Sequence, residues 1–330
     1  MINTYLPEGL ISGGSHNREL ISCRQGLERA MSQGIILEST ALLCDSRMNL
    51  HVDLHGIIGI IPREEVMYCR AGEKIKDIAV ITRVGKPVAF KVVEIYEREG
   101  RTYATLSRRL AQIECMRNYI SDLIPGDIIP ARVTHLESFG AFVDIGCGII
   151  SLLSVDCISV SRISHPSDRL YPGMSIKVVI KSVDEESGRI FVTMRELLGT
   201  WEENAAKFTA GQTVAGIIRS VESYGVFVEL TPNLAGLAEL REDMIIPDAR
   251  GRAADSSASK HIYSGQLAAV YIKSIIPDRM KIKLVLVDSY KGEAVKTKLD
   301  YFVDTEKTLH IDYWRYSPSS CPRVVESVFE

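Results

Sequence analysis

No stretch of this 330-residue chain approaches roughly eighteen consecutive apolar residues, so no membrane-spanning helix is expected. The opening residues, MINTYLPEGLISGG, lack a basic segment feeding an apolar one, and no secretory leader is expected. Neither sign of charge is in excess: 39 Lys and Arg stand against 42 Asp and Glu, a net of −3. That balance excludes a strongly basic nucleic-acid sponge and an acidic tail, but not a local basic stripe. The seven cysteines (Cys23, Cys44, Cys69, Cys115, Cys147, Cys157 and Cys321) form no Cys-x-x-Cys and no Cys/His grouping at zinc spacing. An odd number without a leader points to reduced thiols in a cytoplasmic protein. Phosphate-loop, dinucleotide and His-Glu-x-x-His signatures are also missing, so neither a cofactor nor an enzyme is expected.

What the chain does have is a repeat. SFGAFVDI at 138–145 returns as SYGVFVEL at 223–230, 85 positions on. The match extends without a gap over 125–145 and 210–230, with Gly126 on Gly211, Glu137 on Glu222, Gly140 on Gly225 and Phe142 on Phe227. The downstream halves, 171–194 and 263–286, align at an offset of 92, which places a seven-residue insertion in the third unit. GRAADSSASK (251–260) is the natural place for it, since surface loops accept insertions cheaply. A weaker copy lies upstream in 48–62 and 86–109, where Gly100 and Arg101 fall on Gly188 and Arg189. Met48 and His51 occupy its aromatic positions.

Each unit reads as short β-branched strands, in the second near 128–136, 141–146, 149–153, 176–183 and 189–194. DEESG (184–188) reads as a hairpin turn, and CISVSRISHPSDRLYPG as a helical turn with a loop. Five short strands bury their apolar faces best in a closed barrel, which also removes sheet edges. Helical spacing over 107–123 and 195–208 marks linkers between barrels, with Trp201 expected to pack between units. The expected organisation is a helical lead-in (1–33), a degenerate barrel (34–110), a helical linker (111–124), a barrel (125–197), a helical linker (198–209), a barrel (210–288) and an aromatic-rich tail (289–330). A tail carrying Tyr313, Trp314, Tyr316 and Phe329 is too rich in rings to be free. It either docks on a barrel or binds a partner, and VVESVF within it suits a strand or a helix.

SFGAFVDIG, ISHPSDRLYPGMSIKV and VDEESGRIFVT together resemble the RNA-binding OB-fold repeat of the bacterial ribosomal protein S1 family. The resemblance covers roughly two thirds of the chain, and the arrangement is similar to short family members from Gram-positive anaerobes. It implies an all-β fold of tandem five-stranded OB-fold barrels joined by short helical linkers. It also implies an RNA face of two aromatics, a histidine, an aspartate and an arginine. The matching residues are Phe139, Phe142, Asp184 and Arg189 in the second unit, and Tyr224, Phe227 and Lys281 in the third. The family histidine falls at Ser154 and Glu239, and the first unit keeps only Arg101. The first unit is therefore not expected to bind RNA at full strength and suits protein docking instead. His135 and His165 read as loop or surface residues.

The chemistry has its own logic. Every base has a π-face, so rings fixed on a strand stack on single-stranded RNA with little regard for sequence, at ~1–3 kcal/mol per base. Arginine at the next strand end reaches a phosphate or stacks on a base. Charge limits affinity: 125–197 holds seven Lys/Arg against nine Asp/Glu, and 210–288 nine against nine. The implied partners are single-stranded RNA or mRNA, with the small ribosomal subunit or its proteins beyond, and no membrane. The alternative is a protein-interaction scaffold or RNA-turnover adaptor whose barrels are mainly structural, with the rings in the core. A third feature, DSRMNLHVDLH, would set His51, Asp53 and His55 on one strand face. That spacing can bind a metal in principle, but a polar outer barrel face is the preferred reading.

Overall fold

Ala141 and Val143 are sealed from solvent while Phe142 between them is not, and Val226 and Val228 flank Phe227 in the same way. This period of two is how a strand feeds one row of side chains to a barrel core and the other to its outer surface. The computed structural model describes residues 5–69, 72–184, 188–239, 244–245, 260–290 and 299–330. The chain forms two compact units. One is Met1–Leu123 with Pro130–Thr134 and Val143–Ser151; the other is Ile124–Ile129, His135–Phe142 and Leu152–Glu330.

Helices α1 (Ser15–Ile21) and α2 (Arg24–Gln33) precede the first barrel. Its strands are β1 (Leu37–Cys44), β2 (Leu50–Leu54), β3 (Ile57–Ile61), β4 (Pro87–Arg98) and β5 (Arg101–Ser107), with α3 (Asp77–Ile81) between β3 and β4. They close in the order β1-β2-β3-β5-β4 around Leu50, Val52, Leu54, Phe90 and Leu106. Helix α4 (Arg108–Asn118) begins where the Ser107 hydroxyl accepts from the Leu110 N–H, satisfying one of the free donors of its first turn.

The second barrel comprises β6 (Ile128–Glu137), β7 (Gly140–Asp144), β8 (Ile150–Ser154), β9 (Ser175–Asp184) and β10 (Arg189–Thr193), closed as β10-β8-β7-β6-β9. These bounds lie close to the strands expected from the sequence. The following linker is a short 3-10 turn (Arg195–Leu198) and α5 (Trp201–Ala205), not one helix over 195–208. Gly199, at φ +83°, breaks it. Thr200 and Glu203 then start α5 with a capping box.

The third barrel uses β11 (Thr213–Glu222), β12 (Gly225–Thr231) and β13 (Leu234–Glu239). A short parallel pair follows, β14 (Met244–Ile245) with β15 (Lys260–His261). Strands β16 (Leu267–Ile276) and β17 (Lys281–Tyr290) close the barrel as β11-β12-β13-β17-β16. The turn expected at DEESG and the insertion expected within 251–260 fall on residues 185–187 and 251–259, outside the described residues.

The tail docks within its own unit. Trp314 and Tyr316 join the third-barrel core beside Trp201, Ile218 and Leu284, and the Tyr316 hydroxyl donates to the Asn233 carbonyl at 2.5 Å. Trp201 thus belongs to this core. Phe329 packs with Ile128, Val179 and Leu197, and Tyr301 accepts from the Lys177 N–H at 2.9 Å. Within VVESVF the backbone is a strand, β19 (Glu326–Val328), paired with β18 (Tyr313–Arg315).

Candidate nucleic-acid interface

The glycine of each repeated motif is required by backbone packing. A Cβ on Gly140 would lie 2.4 Å from the Leu153 carbonyl oxygen, and one on Gly225 2.7 Å from that of Ala238. The strand pair can close only with hydrogen at these positions. The close approach fixes the residue just before each glycine at the strand entrance, where it projects outward. Phe139 is 53% exposed and Tyr224 64%.

Each of these rings meets its strand neighbour edge to face. Phe139 and Phe142 have centroids 6.0 Å apart at 88°, and Tyr224 and Phe227 6.3 Å apart at 90°. Such pairs favour this geometry because a ring edge is positive and its face negative. The two inner rings are half-buried on the outer surface of their strands, so none of the four rings lies in a barrel core. Asp184 and Arg189 are exposed and oppose each other across β9 and β10. Lys281 is exposed at the start of β17, opposite Ile276. Of the two residues at the family histidine position, Ser154 is half-buried, and Glu239 lies 3.7 Å from Lys273.

Three further side chains lie on the outer faces of these barrels and are absent from the residues the resemblance implies. His135 is an exposed surface residue on strand β6; its ring stacks on Phe142 at 6.5 Å and 17°, and its Nε2 is 2.8 Å from Glu137 Oε1. Phe191 faces outward between buried Ile190 and Val192, in register with Leu152. Lys283 takes the corresponding place in the third barrel, in register with Leu237, itself opposite Phe227. The alternation of both strands carries the signal for Phe191 and Lys283; nothing local marks His135. In the first barrel, Tyr96 and Tyr103 are paired across β4 and β5 and stack at 5.5 Å and 11°.

Below the third barrel's rings sits a buried ionic cluster. Glu229, 2% exposed, accepts from Arg169 and from Arg219 Nε at 2.6 Å, while Arg219 Nη1 lies 3.6 Å from Asp168. Burial presses the Arg169 guanidinium below its ordinary pKa, and Glu229 opposes the shift. The cluster ties the 159–169 loop to the face of β12. His51, Asp53 and His55 do not form a metal group. His51 lies 3.3 Å from Asp45, and His55 lies in a turn at φ +55° where its N–H bonds Asp53. Among the described residues no set of three or more His, Cys, Asp or Glu could hold a metal ion, and no helix is long and apolar enough to cross a membrane.

Residues 122–195 match the family model of the S1 RNA binding domain. The small ribosomal subunit protein bS1 of Rhizobium meliloti (strain 1021) is 31% identical over 196 residues, covering 58% of this chain and 33% of that protein. The bS1 homolog of Bacillus cereus (strain ATCC 10987 / NRS 248) is 33% identical over 199 residues, covering 58% and 49%. The bS1 protein of Leuconostoc lactis is 30% identical over 241 residues, covering 72% and 53%. The chain spans between a third and about half the length of these relatives.

Proposed function

We propose that this chain, which carries an S1 RNA binding domain homologous to that of bS1, binds single-stranded RNA with low sequence specificity. The observation that carries the reading is the edge-to-face ring pair, outward-facing and at the same strand position in two successive barrels. A ring held on a strand by its neighbour loses little freedom when a base stacks on it. Arg189 and Lys281 supply cations at the strand ends, and Asp184, opposite Arg189 across β9 and β10, completes the RNA face of the second barrel. With charges nearly balanced in each barrel, affinity comes from stacking and from two barrels on one strand, more than from counterion release.

In the cell the RNA is mRNA and the place the small ribosomal subunit, in the cytoplasm. The likeness to proteins named for that subunit supports this. For the first barrel, protein docking is favoured by exposed aliphatics at Leu42 (57%) and Ile78 (62%).

The test is anisotropy of a fluorescent, unstructured RNA at several salt concentrations. The wild-type chain is compared with the quadruple variant Phe139→Ala, Phe142→Ala, Tyr224→Ala, Phe227→Ala. A folded variant that has lost binding supports the stacking role. Equal binding by both removes it, and no binding by either leaves a protein scaffold.

A further inference from the structure

The two aromatic faces differ at one position, and a pocket follows from the difference. In the second barrel the His135 ring covers one side of Phe142 and engages Glu137. The repeat places Ser220 where His135 stands and Glu222 where Glu137 stands. With no imidazole there, Phe227 keeps Tyr224 on one side, and the other side opens. Among the described residues the exposed Glu222 side chain makes no hydrogen bond or ion pair.

The space is a pocket of about 550 Å³, with Ser220, Glu222, Tyr224 and Phe227 on one wall and the loop carrying Arg162 on the other. That wall is fixed. The Val160 N–H donates to Asn233 Oδ1 at 2.9 Å, the Ser161 N–H to the Pro232 carbonyl at 3.2 Å, and Arg169 to Glu229. Its volume is within the range of small-molecule sites. Its groups are those a nucleotide needs: rings for a base, a guanidinium for a phosphate and hydroxyls for a ribose.

The carboxylate narrows the choice of base. It can only accept, and with two oxygens it matches two adjacent N–H donors. On the Watson–Crick edges of the RNA bases, guanine alone presents such a pair, N1–H beside the N2 amino group. Adenine and cytosine each set one amino group beside an acceptor nitrogen. Uracil flanks one N–H with two carbonyls, which a carboxylate repels. We propose that the pocket takes one guanine nucleotide of single-stranded RNA, stacked on the Tyr224–Phe227 pair, with Glu222 reading its edge and Arg162 facing its phosphate. The proposal rests on the RNA-binding reading and adds one selective position to it.

The test measures affinities for oligouridines carrying one central guanine, adenine or inosine, using the full-length chain with Phe139→Ala and Phe142→Ala so that the second barrel does not mask the third. The guanine oligomer binds about tenfold tighter than the adenine one. Inosine, which lacks the N2 amino group, loses most of that advantage. Glu222→Gln brings guanine and adenine together. Ser220→His, which restores the ring of the second barrel, does the same by filling the pocket. Equal binding of guanine and adenine before either change overturns the proposal, as does a guanine preference that survives Glu222→Gln. Guanosine monophosphate competing as well as the guanine oligomer overturns RNA as the source. Failure of the wild-type chain to bind any oligomer, plain oligouridine included, overturns the RNA-binding reading itself.

Discussion

Arg169 meets Glu229 inside the protein, sixty positions along the chain, with both side chains shut off from water. The same carboxylate holds Arg219, so one anion serves two cations. Among the described residues Arg169 Nε and Nη1 have no hydrogen-bond partner, which makes the guanidinium depend on Glu229. Glu229→Ala leaves the buried Arg169 guanidinium without its carboxylate and Arg219 with only Asp168, at 3.6 Å. We expect a loss of about 3–5 kcal/mol, read from the urea midpoint by circular dichroism. Arg169→Met costs far less, because Glu229 keeps Arg219. Equal costs would show that packing, not charge pairing, dominates this site.

Exposed rings and buried neighbours on the same strands predict opposite phenotypes. Phe139→Ala or Tyr224→Ala lowers affinity for unstructured RNA by the equivalent of ~1–3 kcal/mol and shifts stability by no more than about 0.5 kcal/mol. Val143→Ala or Val228→Ala, at fully buried positions, costs about 2 kcal/mol of stability. Parallel binding titrations and thermal melts separate the two classes.

The motif glycines answer to the backbone. Gly140→Ala and Gly225→Ala each force a methyl group against a carbonyl oxygen of the neighbouring strand. Each destabilises its barrel by about 1–3 kcal/mol. Hydrogen exchange across β7–β8 and β12–β13 reads the loosening strand by strand.

The tail carries a pH-dependent anchor. His310 Nδ1 lies 2.8 Å from Asp127 and Nε2 3.1 Å from Asp312, and the bond to Asp127 is the main cause raising its pKa above the ordinary 6.5. A raised cationic group gives stability that is complete below the unfolded value and disappears as pH climbs through the folded one. The Ile128 and Ile311 amides bond the Leu309 and Gly126 carbonyls beside it. Their protection from exchange, corrected for intrinsic rates, falls as pH rises past neutral. His310→Gln flattens that profile; an unchanged profile would assign the dependence to another group.

The sequence announces what depends on near neighbours. Alternating Ala141, Phe142 and Val143 placed a strand, and the repeat of ring and glycine picked out Phe139 and Tyr224. The same alternation marks Phe191 and Lys283 as outward-facing, whereas the family pattern implies only the residues at the strand ends. His135 on Phe142 required the pairing of β6 with β7, which no local spacing gives. Arg169 and Glu229 are alike in this: each reads as an ordinary surface charge, and only the folded loop brings them together. The tail posed a similar problem, since Trp314 and Tyr316 announced burial without naming what would bury them.

Trp201 and Trp314 are the only tryptophans of the chain, and both lie in the core of the third barrel. Intrinsic indole emission is therefore a local gauge. A denaturation curve followed at tryptophan wavelengths traces the third barrel with its docked tail and is blind to the other two. The same spectral window isolates the barrel that holds the pocket, so its unfolding can be timed in the intact chain without attaching a dye.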